Sequence, residues 1–193
     1  MTTKCIRIVA VAVLAGFVSA CSHTAPTYSL SANNIDEIKQ LVGSNSIKLG
    51  VDNFSAKENA NKKSISCRAA GPVEAPDNKT FHQYIQSAII DELRIAGVYD
   101  AASKVKLYGD LDFIDFSSNI GAGKWTLNMT FAGNGVEPFS IQSEYSFSTN
   151  WIADKACQQV AQALVPATQG LIKKLIAHPS FKKLITPGAA VSK

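Results

Sequence analysis

Residues 104–148 read KVKLYGDLDFIDFSSNIGAGKWTLNMTFAGNGVEPFSIQSEYSFS, and they decide the fold. Three runs in this stretch alternate apolar and polar side chains. The first sets Val105, Leu107, Gly109, Leu111 and Phe113 against Lys104, Lys106, Tyr108, Asp110 and Asp112. The second sets Trp125, Leu127, Met129 and Phe131 against Lys124, Thr126, Asn128 and Thr130. The third sets Phe139, Ile141, Ser143, Tyr145 and Phe147 against Ser140, Gln142, Glu144, Ser146 and Ser148. A period of two with one apolar face marks antiparallel strands that bury one side. The joints, Ser117–Ala122 and Ala132–Glu137, are rich in turn residues, and the second contains Asn134-Gly135. Within the first run the apolar phase slips from Phe113 to Ile114 and Phe116, which predicts a β-bulge.

Helical spacing flanks the three strands. Upstream, Thr80-Phe81-His82-Gln83 has the capping-box pattern. The helix it opens places Phe81, Ile85, Ala88, Ile89, Leu93 and Ala96 on one stripe and stops at Gly97. Downstream, Cys157, Val160, Ala161, Leu164, Leu171, Ile172, Leu175 and Ile176 predict a helix over 153–177. Pro166 should kink or split it, Pro179 should end it, and 178–193 reads as a partly disordered tail. Further upstream, Asn34 reads as the cap of a short helix with Ile35, Ile38 and Leu41 on one face, stopped by Gly43. Ile47, Leu49 and Val51 alternate as a first strand, and 53–79 reads as a long loop with Cys67, Pro72 and Pro76 in it. The predicted class is α+β, a two-layer α/β sandwich. It has a mainly antiparallel four-stranded sheet with two helices on one face, in the order β-α-β-β-β-α.

The N-terminus, MTTKCIRIVAVAVLAGFVSAC, places Lys4 and Arg7 before the apolar run Ile8–Val18, and small Ser19 and Ala20 before Cys21. That is the composition of a secretory signal peptide, and the run is shorter than the roughly 20 residues a bilayer core requires. Val18-Ser19-Ala20-Cys21 resembles the lipobox of bacterial lipoproteins. The resemblance implies cleavage before Cys21, a diacylglycerol on its sulfur and acylation of the new amine. A single chain anchors only marginally, so several are needed. Ser22, where aspartate would resemble an inner-membrane retention signal, favours the outer membrane of a Gram-negative host. The expected organisation is a signal peptide over 1–20, a lipidated flexible tether over 21–32, one periplasmic domain over 33–185 and a tail over 186–193. The polar, proline-containing SHTAPTYSLS supplies the tether.

Removing the 20 signal residues from 193 leaves 173, enough for one domain that buries roughly 70% of its unfolded surface. Losing Lys4 and Arg7 takes the formal charge from +4 to +2, too mild to point to nucleic acid. Of four cysteines, Cys5 leaves with the signal and Cys21 takes the lipid. In an oxidising periplasm Cys67 and Cys157 read as a disulfide; two buried thiols, or a redox or metal pair, are the alternatives.

Catalytic signatures are absent from the sequence. His23, His82 and His178 lie far apart, and there is no H-E-x-x-H or G-x-S-x-G. Gly121-Ala122-Gly123-Lys124-Trp125 hints at a phosphate loop. It carries Ser118 where the first glycine belongs and Trp125 where Ser or Thr belongs, so it reads as a hairpin. Asp110, Asp112 and Asp115 form the candidate acidic cluster, for a cation, a catalytic pair or an ordinary solvated face. Lys173, Lys174, Lys182 and Lys183 offer a surface for anionic headgroups, or simply complement helix ends. No cofactor or metal is expected.

The lipobox and element order together resemble small periplasmic accessory lipoproteins of the lipopolysaccharide-assembly, transport-auxiliary and penicillin-binding-protein-activator types. That resemblance implies a non-enzymatic protein that binds an envelope protein partner in assembly or transport. Tyr108, Thr126, Asn128 and Gln142 on the polar sheet face, or the loop 53–79, are the expected docking surface. A lipid or glycan carrier with a cavity between helices and sheet is the alternative, and a hydrolase using Asp110 and Asp112 ranks last. A sheet–helix cavity would favour the carrier; a packed core with an exposed apolar patch would favour the docking protein.

Overall fold

The computed structural model describes residues 22–43 and 47–185; the expected signal peptide, the expected lipidation site Cys21 and the expected tail 186–193 lie outside them. The three alternating runs form three long strands, β6 (Lys106–Asn119), β7 (Ala122–Gly133) and β8 (Val136–Phe147), antiparallel in sequence order. Trp125, Leu127, Met129 and Phe131 are fully buried on the inner face of β7. The predicted bulge is present: the β6–β7 register shifts between Leu111 and Phe113. One consequence reverses an expectation. Beyond the bulge Ile114 takes the inward position, and Phe113 turns to the outer face, where it is 39% exposed.

The sheet has five strands rather than four, and it is mixed. The predicted first strand contributes only β2 (Gly50–Val51), which runs parallel to β6. Between them lies α2 (Phe81–Ile95), and such a crossover is what makes parallel pairing possible. A second short strand, β3 (Ser55–Ala56), also pairs parallel with β6. Gly109 on β6 is required here, because a Cβ would lie 2.8 Å from the buried Phe54 ring.

The long loop also corrects the prediction. It contains β4 (Ser64–Ser66), β5 (Pro72–Glu74) and a 3-10 turn at Pro76–Asn78. β5 pairs antiparallel with β4 on one side and parallel with β1 (His23–Thr24) on the other, making a separate three-stranded sheet. The segment expected to be a flexible tether is therefore part of the fold. Strands this short present one apolar residue each, Ile65 or Val73, too few to register as a period.

Among the described residues there are four α-helices. α1 (Ala32–Val42) is capped by Ser31, whose hydroxyl accepts the Asn34 N–H, and not by Asn34, which is buried inside the helix. The expected capping box opens α2, and in it the Gln83 side chain accepts the Thr80 N–H at 2.9 Å. α3 (Ala153–Ala177) runs unbroken through Pro166, so the expected split does not occur. The residue whose carbonyl Pro166 cannot bond, Gln162, is exposed. His178 ends α3, but Pro179 opens a new helix, α4 (Pro179–Ile185), instead of a disordered tail. Phe181 and Leu184 are buried in it and hold it to the core.

α2 and α3 pack on the inner face of the large sheet, and α1 packs on both. The Trp125 indole N–H donates to the Val160 carbonyl at 2.9 Å, satisfying the one polar atom of the largest core side chain. Cys67 and Cys157 are disulfide-bonded, joining the turn after β4 to the first turns of α3.

Candidate functional site

The outer face of the large sheet carries the residues singled out for docking. Asn128 and Gln142 sit directly across from one another on β7 and β8, and Phe113 flanks Asn128 from β6. Thr126 lies one row away between Asp115 and Glu144. Tyr108, 41% exposed, stands further along β6 opposite Ala132. Thr126, Asn128 and Gln142 thus form one patch, and Tyr108 lies outside its centre. Phe113 belongs to the patch and was expected inside; the signal was the phase slip itself, since a bulge exchanges the faces that follow it. The Asn128 Oδ1 atom is buried on this face with no hydrogen-bond partner among the described residues.

The acidic cluster is divided among partners. Ser55 donates to Asp110 at 3.0 Å. Lys57 lies 2.6 Å from one Asp112 oxygen, and Thr130 donates to the other at 2.7 Å. The hydrogen bond and charge of Asp112 push the Lys57 ammonium above its ordinary range. Asp115 stands apart and accepts the Phe116 N–H. Among the described residues no three His, Cys, Asp or Glu side chains gather as a metal site would need.

The histidines are equally dispersed. His23 Nε2 meets the Ala70 carbonyl at 3.0 Å, His82 Nε2 meets the Thr80 hydroxyl, and His178 stacks on Phe139 at 4.2 Å. Burial holds His82 below the usual imidazole range, against the opposing charge of Asp110. The Gly121–Trp125 stretch is the β6–β7 turn and the start of β7, as the hairpin reading expected. Of the basic group, Lys174 donates to the Gln142 carbonyl at 2.9 Å.

One polar network escaped the sequence reading. Glu92, fully buried on α2, accepts from the Tyr28 hydroxyl, the Ser31 N–H and the Asn34 amide. Burial raises its carboxyl above the usual range, and those donors only partly oppose the rise. Tyr28 is raised in turn, first by burial and then by Glu92. Asn34 also donates to the Gln169 carbonyl, and Gln169 donates back to the Ser29 carbonyl at 2.8 Å. The network clamps residues 28–34 onto α2 and α3. A signal existed: Glu92 falls on the apolar stripe of α2, three residues after Ile89 and four after Ala88.

Between helices and sheet, where a carrier would hold its ligand, the room is taken by Phe81, Ile85, Trp125, Leu127, Phe131 and Leu164. The Phe81 and Trp125 rings lie 6.0 Å apart, and Phe116 meets Trp125 at 4.9 Å.

No protein-family model matches the sequence, and no curated protein matches it as a relative. Among solved structures, a Xanthomonas campestris protein of the DUF330 family overlays with a TM-score of 0.53 at 12% identity, over 81% of this chain and 95% of that one. The two share a fold. A candidate lipoprotein from Caulobacter crescentus and rare lipoprotein B from Shewanella oneidensis each overlay with a TM-score of 0.35 at 12% identity. They cover 76% and 67% of this chain, and 94% of their own length in both cases. That degree of likeness falls short of a common fold. Among the described residues no helix is long and apolar enough to cross a membrane.

Proposed function

We propose that this chain is an envelope lipoprotein, held to the outer membrane by an acylated Cys21, that acts without catalysis as an accessory protein for a protein partner. The observation that carries the reading is the outer face of the large sheet. It is uncovered at its centre, presents Phe113 and Tyr108 to solvent, and leaves the Asn128 Oδ1 atom without a partner among the described residues. A buried polar atom without a partner is a standing demand for a donor, and an exposed aromatic beside it supplies apolar contact. The filled helix–sheet interface leaves the outer face as the larger recognition surface.

The anchor is tested by mass spectrometry of the mature protein: acyl chains on an N-terminal Cys21, and their loss in Cys21→Ala, are expected. The docking surface is tested by in-cell photo-crosslinking from positions 113 and 142. Both positions should trap the same envelope protein, and Asn128→Leu, which removes the acceptor oxygen, should abolish the adduct while the folded protein persists. Adducts only from helical positions, or with glycan and lipid alone, would sink the docking reading.

A further inference from the structure

We infer that the end of the domain carrying Ile120, Trp151 and Ile152 seats in the membrane–water interface as a wedge beside the anchor. The inference rests on the lipoprotein reading and deepens it by naming which surface meets lipid. Ile120 and Trp151 are the most exposed large apolar residues of the described chain, at 75% and 74%, and Ile152 is 37% exposed. They lie on neighbouring loops, the β6–β7 turn and the β8–α3 connection. The Gly121 N–H donates to the Thr149 carbonyl at 3.2 Å, and the Thr149 hydroxyl donates to the Asn119 carbonyl. Arg68 bridges the same loops, donating to the Ser118 hydroxyl and to the Asn150 carbonyl, each at 3.1 Å.

The segment that follows Cys21 lies at this same end. His23 lies 3.7 Å from Asp154, which is three residues past Trp151, and β1 pairs with β5 just beyond the Arg68 turn. Ser22 and His23 line a groove with Asp154 and Gln158 of α3. Only Ser22 separates Cys21 from β1. At about 3.5 Å per residue, the backbone of Cys21, and so the root of an acyl group on it, can lie no more than roughly 7 Å from that strand. The proposed lipid therefore leaves the protein next to the exposed tryptophan and isoleucines, and a bilayer holding that lipid also meets them. Tryptophan is a side chain that favours the headgroup level, with its ring in the apolar boundary and its N–H in water.

The occupant is a phospholipid surface rather than a protein because the anchor delivers the surface to this end. The lysines of the basic group lie elsewhere. α3 spans 25 residues, so Lys174 near its C-terminus stands roughly 30 Å from the wedge at 1.5 Å per residue. Those lysines do not meet the headgroups that the wedge meets.

The test uses the full-length acylated protein in vesicles of phosphatidylethanolamine and phosphatidylglycerol, with and without lipids brominated high on the acyl chain. Trp125 is buried, so the difference between wild type and Trp151→Phe isolates the emission of Trp151. Expected are a blue-shifted Trp151 emission, its loss on bromination and its protection from acrylamide. Ile120→Asp should partly reverse all three. Acyl mass on Cys21 with Trp151 open to acrylamide and blind to bromine would overturn the wedge and spare the anchor. Trp151 shielded from both quenchers would assign the surface to a protein or a second copy, which also overturns it. Absence of acyl mass is the separate failure of the lipoprotein reading.

Discussion

Removing the Cys67–Cys157 bond tests how the chain start is held. The two residues are 90 apart, and both are buried. Closing a loop of that length takes about 15.5 cal/mol/K from the unfolded chain in the loop-entropy model, about 4.6 kcal/mol at 25 °C. Measured values for native disulfides run about 2–4 kcal/mol, and at roughly 2–4 °C per kcal/mol for a domain of this size the melting temperature should fall by roughly 4–16 °C. Cys67→Ala with Cys157→Ala is the cleaner perturbation, because serines would bury two hydroxyls. The loss should also be uneven. The three-stranded sheet has a thin core, since the buried apolar residues of 60–75 are only Ala60, Cys67, Val73 and Ala75, so the bond carries much of its attachment to α3. Circular dichroism melts should show the drop, and amide exchange at 64–74 should accelerate more than at 125–131. A melting temperature that falls by less than about 3 °C, roughly 1 kcal/mol, would refute the reasoning.

Three further outcomes follow from particular contacts. Glu92 titrates above the usual carboxylate range, so between about pH 4.3 and its raised value the folded chain binds more protons than the unfolded one, and stability falls as pH rises through that window. Glu92→Gln should flatten this slope in urea midpoints taken from pH 4.5 to 7.5; identical slopes would show that the carboxyl is not held as described. Gly109→Ala should destabilise by about 1–3 kcal/mol, because its Cβ meets the Phe54 ring at 2.8 Å and that ring is wedged edge-on against Phe131. An unchanged urea midpoint would mean that Phe54 moves aside freely. Asp112→Asn should cost no more than about 1 kcal/mol, since its partner Lys57 is largely exposed and Thr130 can still donate to the amide oxygen. A loss above about 3 kcal/mol in the same assay would instead make this pair a principal clamp of the loop.

The long strands were legible because each repeats its alternation over many residues, and even the bulge announced itself as a slip of phase. The side to which Phe113 turned was readable from that slip, once the inward place was given to Ile114. Other features lacked a local signal. β1, β4 and β5 are two or three residues long, too short to show an alternation, and β1 finds its partner β5 50 residues away, although β4 and β5 themselves pair only 6 to 10 residues apart. The parallel position of β2 follows from the α2 crossover, a fact of topology and not of composition. α4 was misread because proline was taken as a terminator, although it is equally suited to the first turn of a new helix. In the proposed docking patch, period alone places Asn128 and Gln142 on one face, but their direct pairing needed the strand register.

The docking of residues 22–34 changes what an anchor at Cys21 would do. A flexible ten-residue tether would let the domain wander roughly 17 Å from the membrane and turn in any direction. Instead β1 is fixed in a sheet, and Tyr28, Ser31 and Asn34 are fastened to Glu92, so no slack remains. With the lipid on Cys21, as proposed, the domain stands on the bilayer by the end that holds the β6–β7 turn. β7 has 12 residues, and at about 3.4 Å each it would carry the Asn134-Gly135 turn roughly 40 Å outward. The outer sheet face then rises along the side of that column, with Thr126 nearer the membrane and Tyr108 further from it. A partner reading this face would approach parallel to the membrane, as a neighbour in the same bilayer does. Loosening the clamp should therefore weaken docking even though Glu92 touches no part of the docking face. In the photo-crosslinking assay, Tyr28→Phe with Asn34→Ala should reduce adducts from positions 113 and 142 while acylation is unchanged. Undiminished adducts from that variant would show that the partner does not depend on a fixed stance.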